Sequence, residues 1–147
     1  MKLAILGPGR IADKVAQTLV QLPEIECYAV ASRTPGKAEA FAKKFGFSKA
    51  YTNYIEMLSD PEVELVYITT PHSHHYEQMK LCLEHGKHVI CEKPCTTTES
   101  QTRELFALAE EKGLFLMEAQ KMLFLPVLLF LLFHLVRRKE IINRKSK

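Results

Sequence analysis

Leu3–Ala12 reads LAILGPGRIA, and the fold class turns on these ten residues. The apolar run Leu3–Leu6 has the length of a buried strand and stops at a glycine. From Arg10 the spacing turns helical. Ile11, Val15, Leu19 and Leu22 fall on one face, and Pro23 ends the pattern. Gly7, Gly9 and Ala12 lie at the junction in a G-x-G-x-x-A arrangement, the strand-to-helix context of a dinucleotide-binding turn. Gly7 permits the tight turn, Gly9 lets backbone approach a pyrophosphate, and Ala12 lets the helix pack close to the strand. The helix start at Arg10 and Ile11 offers free N–H groups and a positive dipole end to phosphates. A plain tight turn is the alternative reading.

Beyond this turn the pattern repeats. Strands are expected at Cys27–Ser32, Ala50–Tyr51, Glu64–Pro71, His88–Cys91 and Leu114–Glu118. Helices are expected over Pro35–Gly46, over NYIEMLSDP with Asn53 as cap and Pro61 as stop, over His74–Gly86, and over Thr96–Gly113. Apolar strands alternating with amphipathic helices predict an α/β fold, a doubly wound parallel sheet of the Rossmann type covered on both faces.

Composition agrees with a single domain. The chain has 147 residues, 47% hydrophobic and 25% charged, enough for one core. Its net charge is +3, but residues 137–147 hold six Lys/Arg and one Glu, leaving −2 on the rest. No nucleic-acid partner is therefore expected. Four cysteines, at 27, 82, 91 and 95, form no C-x-x-C, and no signal peptide is apparent, which points to a reducing cytoplasm.

Three loops carry candidate chemistry. After strand two comes ASRTPGK, where a ribose-binding carboxylate would stand in an NAD site. Ser32 and Arg33 occupy it instead, and an arginine pairs bidentately with a 2′-phosphate. This favours NADP over NAD, a surface arginine being the bland alternative. TTPHSHH ends the fourth strand at the sheet edge where ligands bind. Adjacent His74 and His75 point apart, so no metal is expected. One histidine contacting a ligand or capping the helix fits better. CEKPC follows the next strand on the same edge, with Pro94 shaping its turn. Lys93 there can hydrogen-bond a substrate hydroxyl and exchange its proton, the alternative being a solvated lysine.

Taken together, GPGRIA, ASR, TTPHSHH, GKHVICEKP and LFLMEAQKMLFLP, in this order and spacing over about Met1–Pro126, resemble the Gfo/Idh/MocA oxidoreductases, the dihydrodiol/xylose dehydrogenase-like members above all. The resemblance implies an N-terminal Rossmann domain followed by a second α/β domain. It implies hydride transfer with NADP or NAD at CH–OH/C=O groups of sugar- or polyol-like small molecules. By it, Lys93 matches the catalytic lysine of the Glu-Lys-Pro motif, with Glu92 and Pro94 as its neighbours. Thr70, Pro71 and His75 match a cofactor-contacting T-P-x-x-x-H loop, and Arg33 a position meeting adenine or 2′-phosphate. Lys121 and Leu123 depart from the aromatic and arginine of many relatives.

The domain is expected to occupy residues 1–120. Residues 121–147 form an apolar-then-basic tail, read as the end of a truncated or frameshifted member without the second domain. From Leu123 to Val136 run 14 residues, broken by Pro126 and His134, against about 20 for a membrane span. An interfacial anchor and a core helix are the other readings. An all-apolar stretch such as Val127–Phe133 is expected to drive self-association. The expected function is an NAD(P)-dependent oxidoreductase, poorly active or inactive as this chain alone. The alternative is a non-catalytic dinucleotide-binding module that self-associates through its tail.

Overall fold

In the computed structural model, which describes residues 1–120, strands and helices alternate from the first residue. They are β1 (Lys2–Leu6), α1 (Arg10–Leu19), β2 (Glu26–Ala31), α2 (Lys37–Phe45), β3 (Lys49–Tyr51), α3 (Tyr54–Ser59), β4 (Leu65–Ile68), α4 (His75–Glu84), β5 (His88–Glu92), α5 (Glu99–Glu111) and β6 (Leu116–Ala119). A 3-10 turn at His72–His74 leads into α4. All strands are parallel in one sheet ordered β3-β2-β1-β4-β5-β6, the expected doubly wound architecture. The tail and its expected association fall at residues 121–147, outside the described residues.

Successive residues of a strand face opposite sides, and the two faces build two cores. Leu3 and Ile5 of β1 pack with Ala12, Ala16 and Leu19 of α1 and with Phe41 of α2. Ala4 and Leu6 pack with Met57, Met79, Leu83 and Leu105 from α3, α4 and α5. Central strands buried on both sides must be apolar throughout, which is why LAIL carries no alternation.

The first helix differs from its expected form. It ends at Leu19, and its buried stripe is Ala12, Ala16 and Leu19. Ile11 and Leu22, expected on that face, are exposed, and Val15 is half-buried. The small alanines allow closer approach to the sheet than a stripe of branched residues, so they take the inner face. Helix α2 starts at Lys37, because Gly36 adopts φ +72°, outside the helical region. The cap at Asn53 forms as expected, its side chain accepting from Ile55 N, and Thr98 caps α5 by accepting from Gln101 N.

One buried polar cluster ties the β2–β3 side of the sheet together. Asp60, just after α3, accepts hydrogen bonds from Tyr28 Oη (3.0 Å), Tyr51 Oη (2.7 Å), Lys49 Nζ (2.8 Å) and Glu62 N (3.0 Å). Lys87 Nζ donates to the main-chain oxygens of Asp60 and Val63, both at 2.8 Å. Lys49 above all, then Tyr51, holds the Asp60 carboxyl well below the usual carboxylate range. A depressed folded-state pKa contributes stability that is complete above the unfolded value, about pH 4, and is lost as pH falls below it. Asp60→Asn is therefore expected to flatten the acid limb of the stability profile. Denaturant midpoints measured from neutral pH downward check this, and an acid limb unchanged in the variant refutes it.

Candidate functional site

The chain leaves β1 toward β2 and β3, and leaves β4 toward β5 and β6, so a crevice opens between the C-terminal ends of β1 and β4. Gly7 forms one wall of this switch point and Thr69–Thr70 the other. Gly7 has φ +93°, and a Cβ at this position would overlap Thr70 Cγ2, so two independent constraints demand glycine. Thr69 Oγ1 donates to Gly7 O at 2.8 Å, and Gly7 N donates to Ala31 O at 3.0 Å. The glycine turn is thus tied to both neighbouring strands.

Gly9 is different. Its φ of −148° is extended backbone that any residue adopts, and the nearest atom to a Cβ at this position would be Gly7 O at 3.9 Å. Nothing in the fold requires a glycine there. As the N-cap of α1 it supplies no side-chain cap, so the N–H groups above it stay open. Arg10 and Ile11 both stand exposed on that first turn.

At the end of β2, Ser32 is buried and its Oγ accepts from Thr34 N at 3.1 Å, while Ser32 N donates to Tyr51 O. Ser32 therefore shapes the turn that presents Arg33. The Arg33 guanidinium is exposed and sits 5.8 Å from the Tyr54 ring centroid, a cation–π distance. Beside this turn, a cleft of about 390 Å³ runs between α1 and α2, lined by Gly9, Arg10, Asp13, Lys37, Phe41 and Lys44 among others. Lys44 pairs with Asp13 at 2.7 Å, which leaves Arg10 and Lys37 as positive charge for a ligand. In the sequence Lys37 carries only a weak signal, its place in the first turn after ASRTPG.

In the loop after β4, Thr70 and His75 make inward hydrogen bonds. Thr70 Oγ1 donates to the buried Gln78 Oε1. His75 is 1% exposed, with Nε2 2.8 Å from Thr70 O and Nδ1 2.8 Å from Pro94 O. Both partners are main-chain oxygens, so the ring N–H donates to one of them and the tautomer decides which. His75 neither caps a helix nor offers a free ring nitrogen to a ligand; it straps the β4 loop to the β5 loop. The His74 side chain makes no cap either, and Pro71 and His72 are exposed. Among the described residues no three His, Cys, Asp or Glu side chains group as a metal site.

The turn after β5 is held from three elements. Tyr67 Oη of β4 donates to Glu92 Oε1 at 2.9 Å. His75 of α4 reaches Pro94 O, and Glu118 Oε2 of β6 accepts from Cys95 N at 2.7 Å. Burial pushes the Glu118 carboxyl up, but the hydrogen bonds from Cys95 N and Gln120 and the charge of Lys93 hold it below its ordinary range. Burial raises the thiols of Cys91 and Cys95 and pushes that of Cys82 up to about 12, so none is a ready thiolate. Within this fixed frame Lys93 is exposed, and among the described residues its amine has no hydrogen-bond partner. An anchored backbone with one free ammonium group at a crevice mouth is what a reacting lysine needs. Tyr67, Thr69, Gln78 and Glu118 leave no signature in the sequence, since each acts through a partner on another element.

Sheet order, glycine turn and edge loops together define a Rossmann-type nucleotide-binding domain. Residues 1–120 match the family described as "Oxidoreductase family, NAD-binding Rossmann fold", GFO_IDH_MocA, and the chain belongs to that family. It is 42% identical over 130 residues to trans-1,2-dihydrobenzene-1,2-diol dehydrogenase of Mus musculus, covering 87% of this chain and 39% of that protein. It is 41% identical over 131 residues to D-xylose 1-dehydrogenase (NADP(+)) of Hypocrea jecorina, covering 81% of this chain and 34% of that protein. The crystal structure of KijD10, a 3-ketoreductase from Actinomadura kijaniata in complex with NADP and TDP-benzene, superposes with a TM-score of 0.78. Identity there is 36%, over 81% of this chain and 37% of KijD10. The chain thus spans well under half the length of these relatives.

Proposed function

We propose that residues 1–120 form the NADP-binding part of an oxidoreductase acting on CH–OH/C=O groups of sugar- or polyol-like small molecules. The observation that carries this is Gly9: a glycine that neither conformation nor packing requires, placed under open helix N–H groups, is explained by a phosphate group approaching the backbone. Names of relatives that cite NADP, a xylose and a diol support the cofactor and the substrate class.

The residues divide the work. Gly7 holds the turn, and Gly9, Arg10 and Ile11 meet the pyrophosphate through their backbone. Arg33, with Lys37 and Arg10 nearby, supplies positive charge for a 2′-phosphate, and Thr70 and Pro71 form the opposite wall. The nicotinamide ring, when bound, accepts or delivers the hydride. Glu92 orients a ligand hydroxyl, and Lys93 hydrogen-bonds the substrate oxygen and moves its proton. Turnover by this chain alone is expected to be poor, because the described residues leave Lys93 open to water. Self-association through Val127–Phe133 is part of the proposal, as burying seven large apolar side chains is worth on the order of 10 kcal/mol before entropy. The four free cysteines support a reducing, cytoplasmic setting.

Arg33→Ala tests the cofactor assignment. The unmodified chain is expected to bind NADPH more tightly than NADH, and the substitution to remove about 1.5–3 kcal/mol of that preference, the worth of a charge-assisted pair. Calorimetric titration with both nucleotides reads it directly. Equal affinities in the unmodified chain defeat the assignment.

A further inference from the structure

Tyr67 lies in the middle of β4, level with Ile5 and Ile90 on the neighbouring strands, in a row that otherwise only packs. A phenylalanine would fill the same space. The hydroxyl is what distinguishes tyrosine, and it is spent on one atom, Glu92 Oε1, at 2.9 Å. Glu92 is the last residue of β5, half-buried at the edge of the crevice and adjacent to Lys93. Among the described residues its second oxygen, Oε2, has no hydrogen-bond partner. A half-buried carboxylate supported by a single phenol is a costly way to end a strand, since an ionised group loses hydration there. Burial and then the Glu92 charge push the Tyr67 phenol above its ordinary range, so it remains a donor at neutral pH.

We infer that Tyr67 is a positioning residue: it fixes Glu92 so that Oε2 faces the crevice and accepts a hydrogen bond from a hydroxyl of the nicotinamide-side ribose. The inference rests on the dinucleotide reading above. It assigns a polar role to a residue of β4 that lies outside both the glycine turn and the Glu-Lys-Pro turn. Tyr67 aims the carboxylate, and the carboxylate places the nicotinamide half of the ligand beside the lysine.

The test titrates the 147-residue chain and its Tyr67→Phe variant with NADPH and with adenosine 2′,5′-bisphosphate, which has the adenine half but no nicotinamide ribose. Tyr67→Phe is expected to weaken NADPH about tenfold, the loss of one hydrogen bond involving a charged group, and to leave the bisphosphate unchanged. In a Glu92→Ala background the same substitution is expected to have no further effect on NADPH, because its only route is gone. Unchanged NADPH affinity, an equal loss for both ligands, or a loss that persists without Glu92 overturns the inference while leaving the dinucleotide reading intact. Failure of the unmodified chain to bind either ligand overturns the dinucleotide reading itself.

Discussion

Gly9→Val is expected to remove NADPH binding, by about a hundredfold or more, while the protein keeps its fold. The two halves of this result have separate causes. The fold survives because Gly9 has extended backbone geometry and a Cβ there would lie 3.9 Å from the nearest atom, an ordinary contact rather than a clash. Binding fails because the new side chain stands where a pyrophosphate must touch the backbone, and overpacking a close contact costs about 1–3 kcal/mol or more. Thermal unfolding and calorimetric titration of the same preparation separate them. Unchanged affinity in a folded variant would show that the G-x-G-x-x-A turn is only a turn.

His75→Ala is expected to damage both stability and binding. The imidazole is fully enclosed and spans two loops, from Thr70 O to Pro94 O, at 2.8 Å on each side. Removing it leaves a cavity and takes the ring's N–H donor from between the two main-chain oxygens, together about 2–4 kcal/mol. In a domain of this size that lowers the unfolding temperature by roughly 10 °C. The crevice also loses its strap, since the wall at Thr70 and the turn around Lys93 are no longer tied. NADPH affinity should fall beyond what partial unfolding explains, at temperatures where the variant is still folded. His75→Gln, which retains an N–H donor, is expected to recover part of both losses. An alanine variant that melts within a degree or so of the parent and binds normally would show that the strap does neither job.

The sheet itself is legible in one dimension. LAIL, CYAVAS and LVYI are apolar on both faces, and the helices between them alternate by thirds and fourths, so strand and helix types follow from burial periodicity alone. The same holds for the loops. Gly7, Arg33, Thr70 and Lys93 each follow a strand, and in a parallel sheet all strand C-termini share one edge. Their meeting at that edge needs no coordinates.

Boundaries and inner faces are less legible. Ile11, Val15, Leu19 and Leu22 make a good apolar stripe on paper, yet α1 turns Ala12 and Ala16 to the sheet, because closeness of approach beside the glycine turn outweighs apolar area. His75 belongs to a motif expected to meet the cofactor, and its enclosure between the β4 and β5 loops has no sign in the sequence.

The amino-acid order thus suffices for the class of fold, the edge where the strand-end loops gather, and the residue types arrayed there. Which polar groups pair is settled in three dimensions: Asp60 with Tyr28, Tyr51 and Lys49, Tyr67 with Glu92, His75 with Thr70 and Pro94, and Glu118 with Cys95. The difference lies in the range of the interactions. Burial is a property of one residue and leaves a period in the chain, whereas a hydrogen bond acts over about 3 Å and depends on strand order, register and side-chain direction. Those are set only when the whole sheet has closed around its two cores.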